Sequence, residues 1–338
     1  KHGGMEIKEN GVYMITGGTG GIGLEIAKHL AGKHNVNAVL LNRSKLPDQS
    51  RWDDIIADGT DLKLCRKLKS IRAIESMGSK VDCYSCEVSD LNSMEPVIEE
   101  IKQKYGTING VFHCAGVAGD GFLFRKEANI FKEVLAPKIN GTWVINHLTR
   151  DVDLDFTILF SSINSIFGGA GQGDYTAANA YLDSFAYMQN KQGKNTLSIN
   201  WPAWDEVGIA VDYGITDESS IFRLLTVERA ISVLEEIASN KLTNIIPGTL
   251  NMKLLAFAKD ELSFELSEQI KNKLIDKNRT KNEAEKRRRT DTEDIVLKGK
   301  GELYSDTEKS IAQMYSMVLD MQELDLYESF SAMGGDSI

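Results

Sequence analysis

The chain has 338 residues, of which 42% are hydrophobic, and it carries a formal net charge of −10. A chain of this length can form one core of about 200–250 residues with a smaller unit beside it. The acidic balance argues against nucleic acid as the main partner. The sequence has neither a signal peptide nor an apolar run long enough for a membrane span, so we expect a cytoplasmic protein without a membrane partner.

Seven short β-rich runs alternate with amphipathic helical patterns along the first three quarters of the chain. The predicted strands are Val12–Thr16, Ala38–Asn42, Lys80–Glu87, Gly110–Cys114, Phe156–Ser161, Thr196–Asn200 and Thr243–Ile246. The clearest helical patterns between them are Leu24–Gly32, Leu62–Met77 and Met94–Tyr105. Strict alternation of strand and helix predicts an α/β fold, a Rossmann-like doubly wound parallel sheet of about seven strands with helices on both faces.

A cluster of glycines lies between the first predicted strand and the first helix, in the stretch VYMITGGTGGIGLEIAKHL. Glycine permits a tight turn and a close backbone approach to a pyrophosphate, and the helix N-terminus presents unpaired N–H groups to that anion. Glycine-rich turns also occur for structural reasons, but the strand–turn–helix context favours a dinucleotide site. The candidate cofactor contacts in this turn are Gly17, Thr19, Gly20, Gly21, Ile22 and Gly23.

The end of the second predicted strand discriminates between cofactors. An NAD site usually has a carboxylate there for the ribose 2′-hydroxyl, whereas this chain has Arg43 and Ser44 in the stretch LLNRSK. A guanidinium offers a planar fork of donors to phosphate oxygens. Arg43 could instead be an ordinary surface arginine at a strand end, but its position favours a 2′-phosphate and therefore NADPH.

Cys83 and Cys86 have the C-x-x-C spacing of some metal and redox sites. They lie in a predicted strand, and neither a second cysteine pair nor a histidine cluster is near them in the sequence. We therefore expect no metal site. Four cysteines in so long a chain do not predict a disulfide framework either.

The stretch GGAGQGDYTAANAYLD contains a candidate proton donor. Tyr175 follows small residues and begins an alanine-rich helical pattern, a setting that suggests a phenol donating a proton to a carbonyl. A free phenol titrates at about pH 10, so a neighbouring ammonium is needed to stabilise the phenolate. A lysine is expected one helical turn later, but the chain has Asn179 there. The ammonium must therefore come from elsewhere in the chain.

These motifs together resemble the short-chain dehydrogenase/reductase superfamily and, more closely, the ketoreductase domains of modular polyketide synthases. The resemblance runs from about Gly11 to Gly248 and includes TGGTGGIG, LLNRS, HCAGV, LAPKINGTW, FSSINSIFGGAGQGDYTAANAYLD and NWPAW, in the family's order and spacing. The segment SKLPDQSRWDDIIADGTD after Arg43 resembles insertions common in ketoreductases of trans-acyltransferase systems. In this family the catalytic lysine lies on the helix with PKINGTW, which implies Lys138 as the expected ammonium.

The resemblance implies a role for each of four residues. Tyr175 would donate the proton to the carbonyl oxygen, and Lys138 would stabilise the phenolate and hydrogen-bond the cofactor ribose. Ser162, thirteen residues before Tyr175, would hold the substrate carbonyl for attack. Asn179 would complete a polar relay through a bound water. Each residue alone would more often be structural, but together at the family's positions they predict a catalytic site.

The resemblance also implies further cofactor contacts and two residues of stereocontrol. The implied contacts are Glu87, Val88, Ala115, Gly116 and Pro202, with Glu87 at a position where the family commonly has aspartate. B-type enzymes of the family carry Leu-Asp-Asp in the loop after AGV, of which this chain keeps only the last residue, Asp120. The tryptophan of A-type enzymes, eight residues before the tyrosine, is Phe167 here. We therefore expect a B-type outcome with a D-configured hydroxyl.

The composition changes after residue 258. Residues 259–300 are rich in Lys, Glu, Asn and Arg, which predicts a charged linker. Apolar residues recur every four positions at its start, which predicts an amphipathic helix through Leu262, Leu266, Ile270 and Leu274. Residues 301–338 contain a second helical pattern, whose apolar face is formed by Ile311, Met314, Tyr315 and Val318.

The final stretch, YESFSAMGGDSI, resembles the attachment motif of acyl or peptidyl carrier proteins. The serine of GGDS receives 4′-phosphopantetheine in that family, which points to Ser337. An ordinary glycine-rich turn before a helix is the alternative, but the helical pattern upstream favours the carrier. We expect residues 301–338 to be an incomplete acyl carrier protein domain that does not fold by itself, because one amphipathic helix cannot bury its own face.

The leading hypothesis is NADPH-dependent reduction of a ketoacyl thioester, most simply β-ketoacyl- to β-hydroxyacyl-carrier protein, in polyketide or hybrid polyketide/nonribosomal peptide biosynthesis. The expected partners are the carrier-bound substrate, a ketosynthase and the structural ketoreductase subdomain. One alternative is a redox-silent domain kept for scaffolding or for epimerising an α-substituent, and another is a free-standing reductase of small ketones. The position of the keto group, α or β to the thioester, is left open by the sequence.

Overall fold

The computed structural model describes residues 6–119, 121–217, 220–238, 240, 242–258, 265–274, 296–299, 304–319, 323–325 and 327–328. The chain divides into two compact units, Lys1–Ser263 and Phe264–Ile338. The first unit contains the predicted sheet and the four residues expected to be catalytic.

In the part of the chain that the structure describes, seven strands form one sheet in the order β3-β2-β1-β4-β5-β6-β7, and all neighbouring pairs are parallel. The strands are β1 (Val12–Thr16), β2 (Asn37–Asn42), β3 (Lys80–Ser85), β4 (Gly110–His113), β5 (Phe156–Ser162), β6 (Thr196–Trp201) and β7 (Asn244–Ile245). The predicted Rossmann-like fold is confirmed. Strand β3 is shorter than predicted because the chain turns at Glu87, whose carbonyl accepts a hydrogen bond from the Asp90 N–H at 3.0 Å.

Helices cover both faces of this sheet. Those of the first unit are α1 (Gly21–Lys33), α2 (Trp52–Asp58), α3 (Leu62–Ser76), α4 (Leu91–Tyr105), α5 (Ala128–Leu148), α6 (Asn164–Phe167), α7 (Gly173–Lys191), α8 (Ile209–Asp212), α9 (Val227–Ala238) and α10 (Met252–Ala258). Helices α1, α3 and α9 contribute to the core on one face, whereas α4, α5 and α7 pack on the other. No helix in the described part of the chain combines the length and the apolarity that a membrane crossing requires.

The central strand β1 is buried on both of its faces. Tyr13 and Ile15 belong to the core beneath α1 and α3, whereas Val12 and Met14 belong to the core beneath α4 and α5. Successive side chains of a strand point to opposite faces. A strand buried on both sides therefore needs apolar residues at consecutive positions, which explains the nearly continuous apolar run at the start of the chain.

The winding of the sheet reverses at β1. Strands β2 and β3 lie on one side of β1, and β4 to β7 lie on the other. In open α/β sheets, ligands bind outside the carboxyl ends of the strands at such a switch point. The loops after β1, β2, β4, β5 and β6 therefore border the candidate site.

The second unit contains two short parallel strands and two helices among its described residues. Strand β8 (Val296–Lys298) pairs with β9 (Glu323–Asp325). Residues 268–274 form helix α11, and α12 spans Asp306–Leu319. The sequence analysis did not predict β8 or β9, because three residues in a charged segment give too short a pattern to recognise as a strand.

Helix α12 begins at a capping box. The Ser305 hydroxyl accepts the Glu308 N–H at 3.2 Å, and the Glu308 carboxylate accepts the Ser305 N–H at 2.8 Å. The predicted apolar face of this helix is only partly covered: Ile311 is 40% exposed and Met314 is 56% exposed, whereas Ala312 is buried. The helix lies where the periodicity predicts it. Its buried side includes Ala312, whereas the sequence predicted that the side with Ile311 and Met314 would be buried.

Candidate active site

The glycine turn joins β1 to α1. Gly17 has a φ of +63°, a left-handed conformation that favours glycine, and it packs against the backbone of Ala115. A side chain at Gly23 would meet the Gly17 carbonyl oxygen at 2.5 Å. Helix α1 follows Gly20 without a side-chain cap and without an acidic residue in its first turn. Its first N–H groups are therefore suited to an anion.

Gly21 and Ile22 begin α1 and lie against the segment that follows β6. A Cβ atom on Gly21 would lie 2.8 Å from the Val207 Cβ, and a Cβ atom on Gly208 would lie 3.0 Å from the Ile22 Cδ1. The glycine turn and the segment after β6 thus face each other at van der Waals distance, and a larger residue at position 21 would push them apart.

Thr19 places a buried hydroxyl in the same turn. Its side chain is 1% exposed, and its Oγ1 has no hydrogen-bond partner among the described residues. A buried polar group without a partner costs about 1–3 kcal/mol. The turn therefore fits the pyrophosphate of a dinucleotide in two respects, by the N–H groups of the helix start and by a hydroxyl that can donate to a phosphate oxygen.

Arg43 and Ser44 lie at the end of β2, beside the glycine turn. The Gly18 N–H donates to the Leu41 carbonyl at 3.0 Å, which joins the turn to β2. The Ser85 hydroxyl donates to the Arg43 carbonyl at 2.9 Å and holds the backbone at this point. Both Arg43 and Ser44 are exposed, so the guanidinium is accessible to a ligand bound at the neighbouring turn.

Glu87 and Val88 lie in the turn after β3. One oxygen of the Glu87 carboxylate accepts the N–H and the hydroxyl of Ser89, at 3.2 and 2.8 Å. Val88 is buried and lies against Gly141 of α5. The Glu87 carboxylate is thus hydrogen-bonded within its own turn. A contact between Glu87 and the adenine edge of the cofactor stays a prediction.

Ser162 ends β5, and Tyr175 lies in the first turn of α7, so that their side chains are close enough to interact. Burial raises the pKa of the Tyr175 phenol, while the neighbouring Ser162 and Asn179 side chains act in the opposite direction. The Asn179 Nδ2 donates to the Tyr175 carbonyl at 2.7 Å, and its buried Oδ1 has no partner among the described residues. The phenol is protonated at neutral pH and can serve as a proton donor.

The ammonium of Lys138 lies in the interior next to the ends of β4 and β5. The side chain comes from α5, is 4% exposed, and donates from Nζ to the Phe160 carbonyl at 2.7 Å. A Cβ atom on Gly116 would lie 3.4 Å from this Nζ. Burial lowers the pKa of Lys138 to about 8, while Cys114 and Asp183 act in the opposite direction. The charged form is still the main one at pH 7.

His113, at the end of β4, holds the helix that carries Lys138. Burial, followed by the nearby Lys138 charge, lowers the His113 pKa to about 3, so the ring is neutral. Its Nε2 donates to the Pro137 carbonyl at 3.0 Å, since a carbonyl can only accept, and its Nδ1 therefore accepts from the Thr16 hydroxyl at 2.7 Å. The Thr16 hydroxyl also accepts the Ala115 N–H at 3.2 Å. These bonds join β1, β4 and α5 next to the buried ammonium.

A polar network supports Ser162 from the other side. Asp183 of α7 accepts the Ser198 hydroxyl at 2.6 Å and the side-chain amides of Asn200 and Asn244 at 2.7 and 3.1 Å. The Asn200 amide also lies 3.4 Å from the Ser162 carbonyl. Strands β5, β6 and β7 and helix α7 are thereby linked at the level of the candidate catalytic serine.

A family model described as "KR domain" matches residues 11–206 of the chain. The chain belongs to the KR domain family. The resemblance to polyketide synthase ketoreductases that the motifs indicated is thus confirmed.

Curated relatives of this KR domain are much longer proteins. It is 34% identical over 212 residues to polyketide synthase PksN of Bacillus subtilis, a match that covers 61% of this chain and 4% of PksN. It is also 34% identical over 199 residues to the 6-methylsalicylic acid synthase of Aspergillus terreus, covering 59% of this chain and 11% of the synthase. The chain therefore spans a small part of the polyketide synthases that it matches.

Solved ketoreductase structures share the fold of this KR domain. A ketoreductase domain from the bacillaene assembly line matches with a TM-score of 0.63 and 30% identity, over 75% of this chain and 58% of that chain. An N-terminal ketoreductase from the macrolactin assembly line matches with a TM-score of 0.62 and 29% identity, over 77% of this chain and 48% of that chain. This chain thus spans about half the length of each of these two solved chains.

The remaining predicted site residues of the KR domain lie in the surrounding loops. Pro202 is buried directly after β6. Phe167 ends α6, and its ring packs on Phe222 with 5.8 Å between the ring centroids. Asp120, predicted for stereocontrol, and Ser337, predicted for phosphopantetheine attachment, lie outside the described residues.

Two supporting residues of the KR domain were missed by the sequence analysis. Asp183 follows Asn179 by four residues and Tyr175 by eight. Helical periodicity places all three near one face of α7, so this spacing could have indicated that Asp183 lies near the candidate site. His113 gave no such signal, because a single histidine at the end of an apolar strand is more often a satisfied core residue.

Proposed function

We propose that this KR domain reduces a ketoacyl thioester with NADPH, most simply β-ketoacyl- to β-hydroxyacyl-carrier protein, in polyketide or hybrid polyketide/nonribosomal peptide biosynthesis. The observation that carries the proposal is the proximity of the Ser162 and Tyr175 side chains at the carboxyl end of β5. This pair lies in a chain whose dinucleotide-type turn fits a pyrophosphate. The buried ammonium of Lys138 supports the same reaction. The 34% sequence identity to polyketide synthase PksN supports it as well.

NADPH, when bound, supplies the hydride for the carbonyl carbon. Tyr175 donates the proton that the carbonyl oxygen requires, and its raised pKa keeps that proton in place until it is needed. The Ser162 hydroxyl donates a hydrogen bond to the same oxygen. This bond orients the carbonyl and stabilises the negative charge that develops on it.

Lys138 and Asn179 assist the phenol. A positive charge near a phenolate favours the ionised form, so the Lys138 ammonium makes the loss of the proton from Tyr175 less costly. The Asn179 Oδ1, which is buried without a partner among the described residues, fits a bound water. Such a water can return a proton to the phenol after each turnover.

Consumption of NADPH in the presence of a β-ketoacyl N-acetylcysteamine thioester tests the proposal. We expect absorbance at the nicotinamide band to fall only when both the thioester and the full chain are present. A redox-silent scaffolding or epimerising domain would consume no NADPH. A free-standing reductase would reduce simple ketones as fast as the thioester, and either result would contradict the proposal.

The product of that reaction carries a prediction about configuration. We expect a D-configured hydroxyl, which is R in a simple 3-hydroxyacyl thioester, because the chain keeps the B-type Asp120 and has Phe167 in place of the A-type tryptophan. Chiral chromatography of the reduced thioester against a racemic standard measures it. A predominantly L product would contradict the B-type assignment while leaving the reduction itself intact.

Cofactor choice depends on Arg43. One or two charge-assisted hydrogen bonds to a 2′-phosphate, at about 1.5–3 kcal/mol each, imply at least about a tenfold preference for NADPH over NADH. Arg43→Ala should raise the KM for NADPH and leave the KM for NADH unchanged. Arg51→Ala, at another exposed arginine of the loop after β2, is the matched control. Equal use of both cofactors by the wild type would refute the assignment.

The carrier-bound substrate leads to a proposal about organisation. We propose residues 1–258 as the ketoreductase domain, 259–300 as a charged linker that includes β8, and 301–338 as an incomplete acyl carrier protein domain. Ser337 would receive 4′-phosphopantetheine in a complete carrier, which the intact mass of that carrier would reveal. The curated relatives are polyketide synthases of which the chain covers 4–11%, which supports a ketosynthase and the structural ketoreductase subdomain as neighbours.

A further inference from the structure

Lys126 and Asp174 form an ion pair in the interior of the first unit. The Lys126 Nζ lies 2.6 Å from the Asp174 Oδ2, and the two side chains are 2% and 0% exposed. The pair between Lys104 and Asp82, by contrast, has side chains that are 48% and 20% exposed. Burying two charges removes their hydration, so a buried ion pair is weak evidence for a gain in stability. Its location in the fold is therefore the informative feature.

The pair joins two loops that border the candidate active site. The Lys126 Nζ donates to the Gly119 carbonyl at 3.2 Å, in the loop after β4, and lies 3.5 Å from the Gly171 carbonyl, in the loop before α7. The other oxygen of the Asp174 carboxylate accepts the Tyr175 N–H at 2.9 Å. One ammonium thus connects both loops to the residue that directly precedes the proposed proton donor.

Glycines bring the two loops into close contact around this pair. A Cβ atom on Gly119 would lie 2.5 Å from the Val134 Cγ2 and 3.0 Å from the Asp174 Oδ2. Gly171, with a φ of +73° that favours glycine, lies opposite Gly121, and a Cβ atom on Gly171 would lie in van der Waals contact with the Gly121 backbone nitrogen, at 3.4 Å. Movement of either loop would therefore break hydrogen bonds to an ammonium whose side chain is almost fully buried.

We propose that Lys126 and Asp174 are a positioning pair that fixes the loop after β4 relative to the Tyr175 phenol and thereby sets which face of the ketone is reduced. The inference rests on the ketoreduction proposed above. The loop and the phenol border the space in which the carbonyl must lie. A misplacement of about 1 Å can cost about 100-fold in rate, so the pair would influence the reaction without touching the reacting atoms.

Two variants separate positioning from stability. The double variant Lys126→Met/Asp174→Leu replaces both charges by apolar groups of similar volume, a change that is often neutral for stability. Asp174→Asn keeps the shape and an acceptor for the Tyr175 N–H but removes the charge. Lys104→Met, which removes the exposed pair with Asp82, is the control.

Five measurements are made on the full chain of each variant. For the double variant we expect wild-type NADPH affinity and a wild-type urea midpoint, with kcat lower by about 10–100-fold and the share of the minor enantiomer higher by about fivefold. Hydrogen–deuterium exchange should be faster in the peptides that contain Gly119 and Gly171, because the bonds that tie their loops together are gone. Asp174→Asn should change the same quantities in the same direction, and the control should change none.

If both variants had the kcat and the enantiomer ratio of the wild type, the proposal would be overturned, whatever their exchange rates. Unchanged exchange in both peptides would overturn it as well, since the loops would then be held by other contacts. If the wild-type chain itself does not oxidise NADPH with the thioester, the proposed function fails. In that case the exchange data still decide whether the pair holds the two loops.

Discussion

Tyr175→Phe is expected to bind NADPH as the wild type does and to lose reduction by about 100–10,000-fold. That range is the usual contribution of a positioned proton donor. The substitution removes only the hydroxyl, so the ring keeps its place in α7 and the glycine turn is unaffected. The measurements are the dissociation constant for NADPH, by fluorescence titration, and kcat with the β-ketoacyl thioester.

Tyr187→Phe provides the matched control for this experiment. Tyr187 lies on the same helix, is 55% exposed, and should tolerate the change without loss of rate. Near-wild-type turnover by Tyr175→Phe would remove the phenol from the mechanism. A simultaneous loss of NADPH binding would instead indicate a structural role for the hydroxyl.

Lys138→Met is expected to slow the reaction and stabilise the protein at the same time. Loss of the ammonium removes one preorganised electrostatic group, for which a rate loss of about 100–1000-fold is typical. Burial lowers the pKa of Lys138 from 10.5 to about 8, a shift that corresponds to about 3 kcal/mol of unfavourable free energy in the folded state. Some of this is offset by the hydrogen bond to Phe160, so we expect the free energy of unfolding at pH 7 to rise by about 1–3 kcal/mol.

The pH dependence of this gain follows from the direction of the shift. Below pH 8 the lysine is charged in both folded and unfolded states, so the unfavourable burial is fully present in the wild type. Between the folded pKa of about 8 and the unfolded value of 10.5, the unfolded state binds more protons and wild-type stability rises with pH. Urea unfolding at pH 7 and at pH 10 should therefore show a smaller difference between variant and wild type at the higher pH.

Lys132→Met controls for the loss of a lysine from α5. Lys132 precedes Lys138 by one and a half turns and is exposed, so neither the rate nor the stability should change with this substitution. Wild-type turnover in Lys138→Met would show that the ammonium comes from another residue. A lower stability of Lys138→Met at pH 7 would contradict the argument from burial.

Much of the fold could be predicted because local patterns coincide with the tertiary arrangement. Strand β1 has the bounds that its apolar run predicts, Val12–Thr16, since a central strand must be apolar at consecutive positions. Helix α1 begins at Gly21, three residues before the predicted start. Its first turn consists largely of glycine, which has a low helix propensity, so the helical pattern could not extend there.

The second unit shows where such patterns fail. The pairing of β8 with β9 joins residues that are far apart in the sequence, and each strand has three residues. Neither strand has enough residues for alternation to be recognised. For α12 the periodicity predicted the helix correctly. Which side of it is buried depends on what packs against it, and Ile311 and Met314, on the predicted apolar face, are exposed.

The sequence by itself determined the class of fold, the dinucleotide-type turn and, through the spacing of its motifs, the family to which the chain belongs. It also identified Ser162, Tyr175, Asn179 and Lys138 as candidates, because these positions lie in recognisable motifs. Only the tertiary structure showed that the Lys138 ammonium is buried at the end of β4, and that a pair as distant in sequence as Lys126 and Asp174 meets in the interior. The reason is physical: local patterns depend on backbone geometry within an element, whereas burial, pKa shifts and ion pairing depend on which elements lie against one another.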